Sequence, residues 1–169
     1  ADRGITRREI EKLALYMGEA ERVTLEDAMA CVGDSGAASL EELSQRVAAG
    51  DLEGLERAMR RALGEGVSEI GILRAVAGSL RRIHLAVGLM GSGMTADQAM
   101  ASLRPPIFFK AKYSFQAALG QWSGPRLSRA LELLTEAELD CKTTGMPAAA
   151  VCGRALMRIT QAARRPRRG

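Results

Sequence analysis

Apolar residues recur along this chain every three or four positions, which is the period of an α-helix with one buried face. The period predicts three long helices: residues 69–90, a helix after Ser123 that reaches about Lys142, and residues 147–163. The alternation of apolar and polar residues that would indicate strands is absent from the sequence. The pattern therefore predicts an all-α helical bundle, with the helix over residues 69–90 as its central element.

Helix-capping residues and glycines divide the rest of the sequence into shorter helices. Ser39 begins a capping box with Glu42, in which a hydroxyl and a carboxylate satisfy backbone N–H groups at a helix start. Asp51 and Thr95 are further capping residues, and glycine or proline residues follow the helical segments. The shorter helices predicted from these signals are residues 40–49, 52–63, 96–103 and 108–122.

Two more helices are predicted at the start of the sequence, over residues 7–17 and 24–32. They end at a run of small and polar residues, 33–39, which is typical of a boundary between domains. Two helices of this length cannot form a core of their own. We therefore expect the residues before this run to be the remains of one domain, and the residues after it to belong to a second, helical domain.

The composition is typical of a globular helical domain and adds one charged feature. Apolar residues make up 47% of the chain and charged residues 26%, whereas aromatic residues make up only 4%. The net charge is +4, and the four arginines among residues 164–169 equal that excess. We expect this segment to be a disordered, solubilising tail. Attraction of the tail to nucleic-acid phosphates is the alternative.

Catalytic and metal-binding chemistry has little support in the sequence. His84 is the single histidine, and its place on an apolar helix face is typical of a half-buried, hydrogen-bonded structural residue. Cys31, Cys141 and Cys152 lack the spacing of a metal site, so we expect buried free thiols in a reducing cytoplasm. The longest uncharged stretch, residues 83–96, is too short to span a membrane. The sequence thus predicts no catalytic residue, no metal site and no cofactor.

One segment concentrates aromatic and basic residues, running from Phe108 through Lys110 and Lys112 to Tyr113, with Trp122 further along. In one interpretation, the rings pack into the core while the lysines face water. In the other, rings and lysines together form a surface that stacks on bases and pairs with phosphates. The first interpretation is preferred because helices more often bury their aromatic rings.

Acidic residues are densest near the end of the helix that reaches Lys142. Glu138 lies one turn before Lys142, at the spacing of an ion pair on a helix surface. The alternative is a polar contact of Glu138 that fixes how neighbouring helices or subunits dock.

Four segments of the sequence, in their order and spacing, resemble one known family. They are residues 10–34, residues 50–52 with 62–66, residues 104–110 and residues 133–143. The family is the delta subunit of bacterial DNA polymerase III, a member of the clamp loader, and the third segment is similar to alphaproteobacterial versions. The resemblance covers nearly the whole chain and identifies it as the C-terminal part of such a subunit.

The resemblance implies an architecture. Members of the family have an ATPase-like first domain, a small helical lid and a helical collar, and the collars of five subunits join in a ring. Residues 1–36 are then a two-helix remnant of the AAA+ lid domain, and residues 37–169 are the collar. The implied function lies in DNA replication: the collar joins the loader, and the complete subunit opens the sliding clamp and loads it onto DNA. This part is expected to have no catalytic activity and to bind no ATP.

The expected partners are the other clamp-loader subunits, whereas the sliding clamp and primed DNA are expected only through the complete protein or complex. No membrane or small-molecule partner is expected. The predicted partner interface comprises Phe108, Lys110, Lys112, Tyr113, Trp122, Glu138 and Lys142. The alternative function is a stand-alone basic helical module that binds nucleic acid.

Overall fold

The computed structural model describes residues 34–165, and these residues form a helical bundle. Its seven α-helices are α1 Asp34–Ala49, α2 Leu52–Gly64, α3 Glu69–Gly91, α4 Ala96–Ser102, α5 Lys112–Gln121, α6 Gly124–Lys142 and α7 Ala148–Arg164. A short 3-10 helix, Phe109–Ala111, precedes α5. No strand occurs among the described residues, so the all-α prediction is confirmed for this part of the chain. The helices predicted over residues 7–17 and 24–32 lie outside the described residues.

The longest helix, α3, is the central element of the bundle. It packs against α1, α4, α5, α6 and α7. Its buried residues recur at the helical period: Ile72, Leu73, Val76, Ala77, Leu80, Ile83 and Ala86. A side chain on every turn thus contacts a neighbouring helix, and the predicted central position of this helix is confirmed.

Local capping starts several helices where the sequence predicts. The Asp51 carboxylate accepts a 2.9 Å hydrogen bond from the Gly54 N–H at the start of α2. Thr95 and Gln98 form the reciprocal capping box of α4, with hydrogen bonds of 3.0 and 3.2 Å. These side chains satisfy N–H groups that have no partner within the helix, which fixes the first turn.

The start of α1 differs from the prediction. The capping box predicted a helix beginning at Leu40, whereas α1 begins at Asp34. Ser39 is only 1% exposed, and its hydroxyl donates a 2.6 Å hydrogen bond to Oε2 of Glu65, just after α2. Ser39 therefore ties two helices together instead of capping one. The predicted division after residue 36 falls inside α1, and it stays a prediction.

The helix predicted over residues 108–122 is interrupted. The 3-10 helix and α5 share the segment, and the backbone at Trp122 is extended, with φ −97° and ψ 145°. Arg164, where the basic tail is predicted to begin, is the last residue of α7. Residues 166–169 lie outside the described part of the chain.

Candidate interaction surfaces

The segment around the start of α5 exposes three aromatic rings to water. Phe108, Phe109 and Tyr113 are 62%, 73% and 85% exposed. Lys110 and Lys112, which lie between them in the sequence, are exposed as well. These five residues are termed the aromatic–basic surface.

The rings and the nearer lysine of this surface contact one another. The ring centroids of Phe108 and Phe109 are 4.9 Å apart, with an angle of 56° between the ring planes. That geometry is within the range preferred by aromatic pairs. Nζ of Lys110 lies 6.0 Å from the Phe109 centroid, at the outer limit of a cation–π contact. The surface therefore presents apolar faces together with positive charge.

The fold explains why these rings are not in the core. The 3-10 helix has no buried residue, and α5 buries only Ala118 and Leu119, which lie near its C-terminal end. The first turn of the segment therefore adds nothing to the buried core. The preferred interpretation of the sequence, with the rings packed inside, is wrong for Phe108, Phe109 and Tyr113.

Trp122, in contrast, is fully buried, at 0% exposure. Its indole Nε1 donates a 3.0 Å hydrogen bond to the carbonyl oxygen of Ala48, near the end of α1. The guanidinium of Arg126 lies 5.6 Å from the centroid of the Trp122 ring. Trp122 is thus a core residue of this bundle, and its place in the predicted partner interface is corrected.

The C-terminal ends of α1, α5 and α7 meet beside Trp122. The side-chain amide of Gln121 donates to the Ala163 carbonyl of α7 at 2.8 Å and to the Ala49 carbonyl of α1 at 3.5 Å. Nη1 of Arg126 donates to the Gln121 carbonyl at 3.1 Å. Helix ends leave carbonyl oxygens without partners inside the helix. These side chains satisfy those acceptors and hold the three helix ends together.

Glu138 joins two helices through a shared carboxylate oxygen. Nζ of Lys142 lies 3.1 Å from Oε1 of Glu138, so the predicted ion pair within α6 is present. Arg74 of α3 reaches the same oxygen, with Nε at 2.9 Å and Nη2 at 2.8 Å. The hydrogen bond from Arg74 lowers the pKa of Glu138, and the hydrogen bond from Lys142 adds to this effect. The contact therefore also fixes how α3 and α6 dock.

Sequence reasoning does not find Arg74 as the partner of Glu138. The helical period places Arg74 off the apolar stripe of α3, but no pattern relates two residues so far apart in the chain. Only the packing of α3 against α6 brings the guanidinium to the carboxylate. A contact of Glu138 or Lys142 with another subunit stays a prediction.

Burial disfavours the reactive thiolate form of Cys141 and Cys152, the two cysteines within the described residues. Burial raises the pKa of Cys152 to about 12, and burial also raises the pKa of Cys141. Both thiols stay protonated near neutral pH, and a protonated thiol is a poor nucleophile. Cys31 lies outside the described residues.

Other candidate chemistry is equally sparse in residues 34–165. His84 is half-buried on α3, as predicted, whereas a hydrogen bond of its side chain stays a prediction. No cluster of three or more His, Cys, Asp or Glu side chains in this range could hold a metal ion. No helix in the same range combines the length and apolar character needed to cross a membrane. The exposed surfaces are therefore the main candidates for a functional site, as surfaces that could bind a partner.

The fold is shared with a solved structure, that of the Bacillus subtilis DNA clamp loader delta protein. The TM-score is 0.61 and the sequence identity is 18%. The match covers 91% of this chain and 45% of the other, so this chain spans less than half the length of that protein. No protein-family model matches the sequence, and no curated protein matches it either. A likeness at this level of identity establishes the fold alone.

Proposed function

We propose that this chain is the C-terminal part of a clamp-loader delta subunit, and that its helical bundle joins the other loader subunits as a collar in DNA replication. The observation that carries the proposal is the fold shared with the Bacillus subtilis DNA clamp loader delta protein over 91% of the chain. The four sequence segments that resemble delta subunits of bacterial DNA polymerase III support the same role.

The aromatic–basic surface supplies a physical reason for association. Removing apolar area from water stabilises a contact by about 25 cal/mol per Å², and grouped apolar side chains at a surface are typical of binding sites. Phe108, Phe109 and Tyr113 offer such area. Lys110 and Lys112 add positive charge that pairs with carboxylates of a partner and favours one orientation. We place the main contact with a neighbouring subunit here.

Glu138 and Lys142 remain as a second, weaker contact on α6. Their side chains are 24% and 49% exposed, so part of the charge is open to a partner although Arg74 already occupies one oxygen. Trp122 has no part in the proposed interface because it is buried within the bundle.

The remaining parts of the proposal concern the whole subunit. The bundle binds no ATP and performs no catalysis. Opening of the sliding clamp and contact with primed DNA belong to the complete protein or complex, which works in the cytoplasm.

Reconstitution tests the proposed assembly. The chain is mixed with the ATPase subunits of a bacterial clamp loader, and the mass of the product is measured by light scattering during gel filtration. We expect a stable complex. The triple variant Phe108→Ala/Phe109→Ala/Tyr113→Ala is expected to lower the affinity for the ATPase subunits at least about tenfold, because central aromatic residues carry much of the energy of an interface.

A matched control separates loss of this surface from loss of exposed apolar area in general. Leu85→Ala/Met94→Ala removes two exposed apolar side chains from other parts of the bundle and is expected to leave the complex intact. If the unaltered chain forms no complex, the assembly role is wrong. If the triple variant assembles like the unaltered chain, the contact lies elsewhere on the bundle.

One observation favours the alternative, a nucleic-acid-binding module. Exposed rings beside Lys110 and Lys112 are an arrangement that stacks on unpaired bases. A fluorescence titration with single-stranded DNA separates the two functions. Tight binding that is lost in the triple variant, together with failure to join the loader subunits, would favour the alternative.

A further inference from the structure

The last helix carries a row of positive charge without acidic residues. Between Ala148 and Arg164, α7 has three arginines and no aspartate or glutamate, and Arg165 follows it directly. Arg154, Arg158 and Gln161 are spaced i, i+4 and i+7, and Arg165 continues the row, so the four residues share one side of the helix. All four are exposed. They are termed the arginine face.

Some arginines elsewhere in the bundle are paired with carboxylates, whereas others, such as Arg57 and Arg81, have no carboxylate within salt-bridge distance in residues 34–165. Arg60, Arg74 and Arg129 have a carboxylate oxygen at 2.9, 2.8 and 3.1 Å. No arginine of the arginine face has a carboxylate within salt-bridge distance in residues 34–165. Neighbouring like charges on one helix side repel one another. A ligand with repeated negative charge relieves this repulsion.

The surroundings of these arginines distinguish between kinds of polyanion. A protein interface has an apolar, often aromatic, centre from which water is excluded. Met157 is the one large apolar side chain exposed on α7, and α7 contains no aromatic residue. Single-stranded nucleic acid is usually held by aromatic stacking, which α7 cannot supply. A row of guanidinium groups on one helix side fits the regularly spaced phosphates of a duplex better than it fits a protein interface or single-stranded nucleic acid.

The dimensions agree with several phosphate contacts. At about 1.5 Å per residue, the row from Arg154 to Arg165 extends about 17 Å along the helix axis. A DNA strand carries one phosphate per about 3.4 Å of duplex axis. The arginines can therefore contact separate phosphates along one strand.

We propose that the arginine face of α7 binds the sugar–phosphate backbone of duplex DNA without reading its sequence. The surface is distinct from the aromatic–basic surface, and the proposal does not depend on assembly with loader subunits.

Salt-dependent binding of the full chain to a labelled DNA duplex tests the proposal. The variant Arg154→Gln/Arg158→Gln is expected to bind at least about tenfold more weakly, and the slope of log affinity against log salt should fall by about 2. The control Arg60→Gln/Arg129→Gln removes the same charge from α2 and α6 and should change affinity less than about twofold. Circular dichroism during urea unfolding confirms that each variant is folded.

Two further measurements test whether the ligand is duplex DNA and whether the binding surface is α7 or the C-terminal residues after it. Arg167→Gln/Arg168→Gln should leave most of the duplex affinity, and a polyglutamate peptide of equal charge should bind more weakly than the duplex. The proposal is overturned if the control loses as much affinity as the α7 variant, or if the tail variant abolishes binding. Stronger binding of polyglutamate overturns it in favour of an acidic protein partner. A chain that does not bind the duplex at low salt also overturns it.

Discussion

Both ends of the segment from Phe108 to Trp122 carry aromatic side chains, but those at the start are exposed to water and the one at the end is buried. At its start, Phe108, Phe109 and Tyr113 are mostly exposed, whereas Trp122 at its end is fully buried. The difference arises from what surrounds each end. Trp122 lies where the ends of α1, α5 and α7 converge, while the 3-10 helix at the start buries nothing.

The contrast shows that aromatic character alone does not assign a role in this molecule. The buried indole stabilises the bundle through packing and through a hydrogen bond to a helix end. The exposed rings contribute little to the bundle and remain free for a partner. A variant at one end should therefore change stability, and a variant at the other end should change binding.

The largest effect on the free energy of unfolding is expected for Trp122→Ala. Removing a fully buried indole leaves a cavity, and such truncations cost about 3–5 kcal/mol. The free energy of unfolding is measured by urea denaturation. Trp122→Phe serves as the control, since it keeps one aromatic ring but loses part of the buried volume and the N–H that bonds to Ala48, for about 1–2 kcal/mol. A loss below about 1 kcal/mol in Trp122→Ala would contradict the buried position.

A smaller effect is expected for Gln121→Ala at the same junction. The variant removes the hydrogen bonds to the carbonyls of Ala163 and Ala49 and should lower the free energy of unfolding by about 1 kcal/mol. Hydrogen exchange should accelerate in the last turn of α7. The exposed neighbour Gln116 provides the control, because Gln116→Ala should leave both measurements unchanged.

Glu138 is an intermediate case, a partly exposed residue that joins two helices. Its pKa is lowered from the ordinary value of 4.5, so its ion pairs contribute stability above that value and lose it as the pH falls below it. Glu138→Gln should cost about 0.5 kcal/mol at neutral pH. Unfolding measured from pH 7 towards pH 3 should show this difference shrinking.

The control for Glu138 is Asp140→Asn, which removes an exposed carboxylate from the same helix. It is expected to change stability less than Glu138→Gln at every pH. A difference between the unaltered chain and Glu138→Gln that persists at low pH would rule out the ion pairs as its cause.

The smallest effect on stability is expected for the triple variant Phe108→Ala/Phe109→Ala/Tyr113→Ala. Exposed side chains away from structural contacts usually change the free energy of unfolding by no more than about 0.5 kcal/mol. Urea denaturation and subunit binding are measured on the same preparation. If the triple variant keeps the stability of the unaltered chain but binds the subunits more weakly, the exposed rings serve binding whereas Trp122 serves stability. A stability loss comparable to that of Trp122→Ala would break it.

Much of the fold is predictable because helix formation depends on nearby residues. The starts of α2, α3 and α4 follow from Asp51, Ser68 and Thr95, whose side chains cap N–H groups three residues away. The ion pair of Glu138 with Lys142 follows from the same short range. The start of α1 does not, because Ser39 bonds to a residue beyond the next helix.

The aromatic–basic surface is predictable only as a set of residues. Its sequence is compatible with buried rings, the preferred interpretation, and with exposed rings, since the helical period is weak in α5 and no cap marks its start. The arginine face of α7 is a different case. Its regular spacing and lack of acidic residues are visible in the sequence, and the structure adds that the arginines lie opposite the buried side.

The sequence by itself determined that the chain is helical, where most of its helices begin and end, and which side of the long helices is apolar. These properties depend on residues within about one helical turn of each other. The tertiary structure alone decided which aromatic residue is buried and which carboxylate joins two helices. Trp122 finds its acceptor on α1, and Glu138 finds Arg74 on α3. Such contacts join residues that are close only after the helices have packed, so no local pattern encodes them.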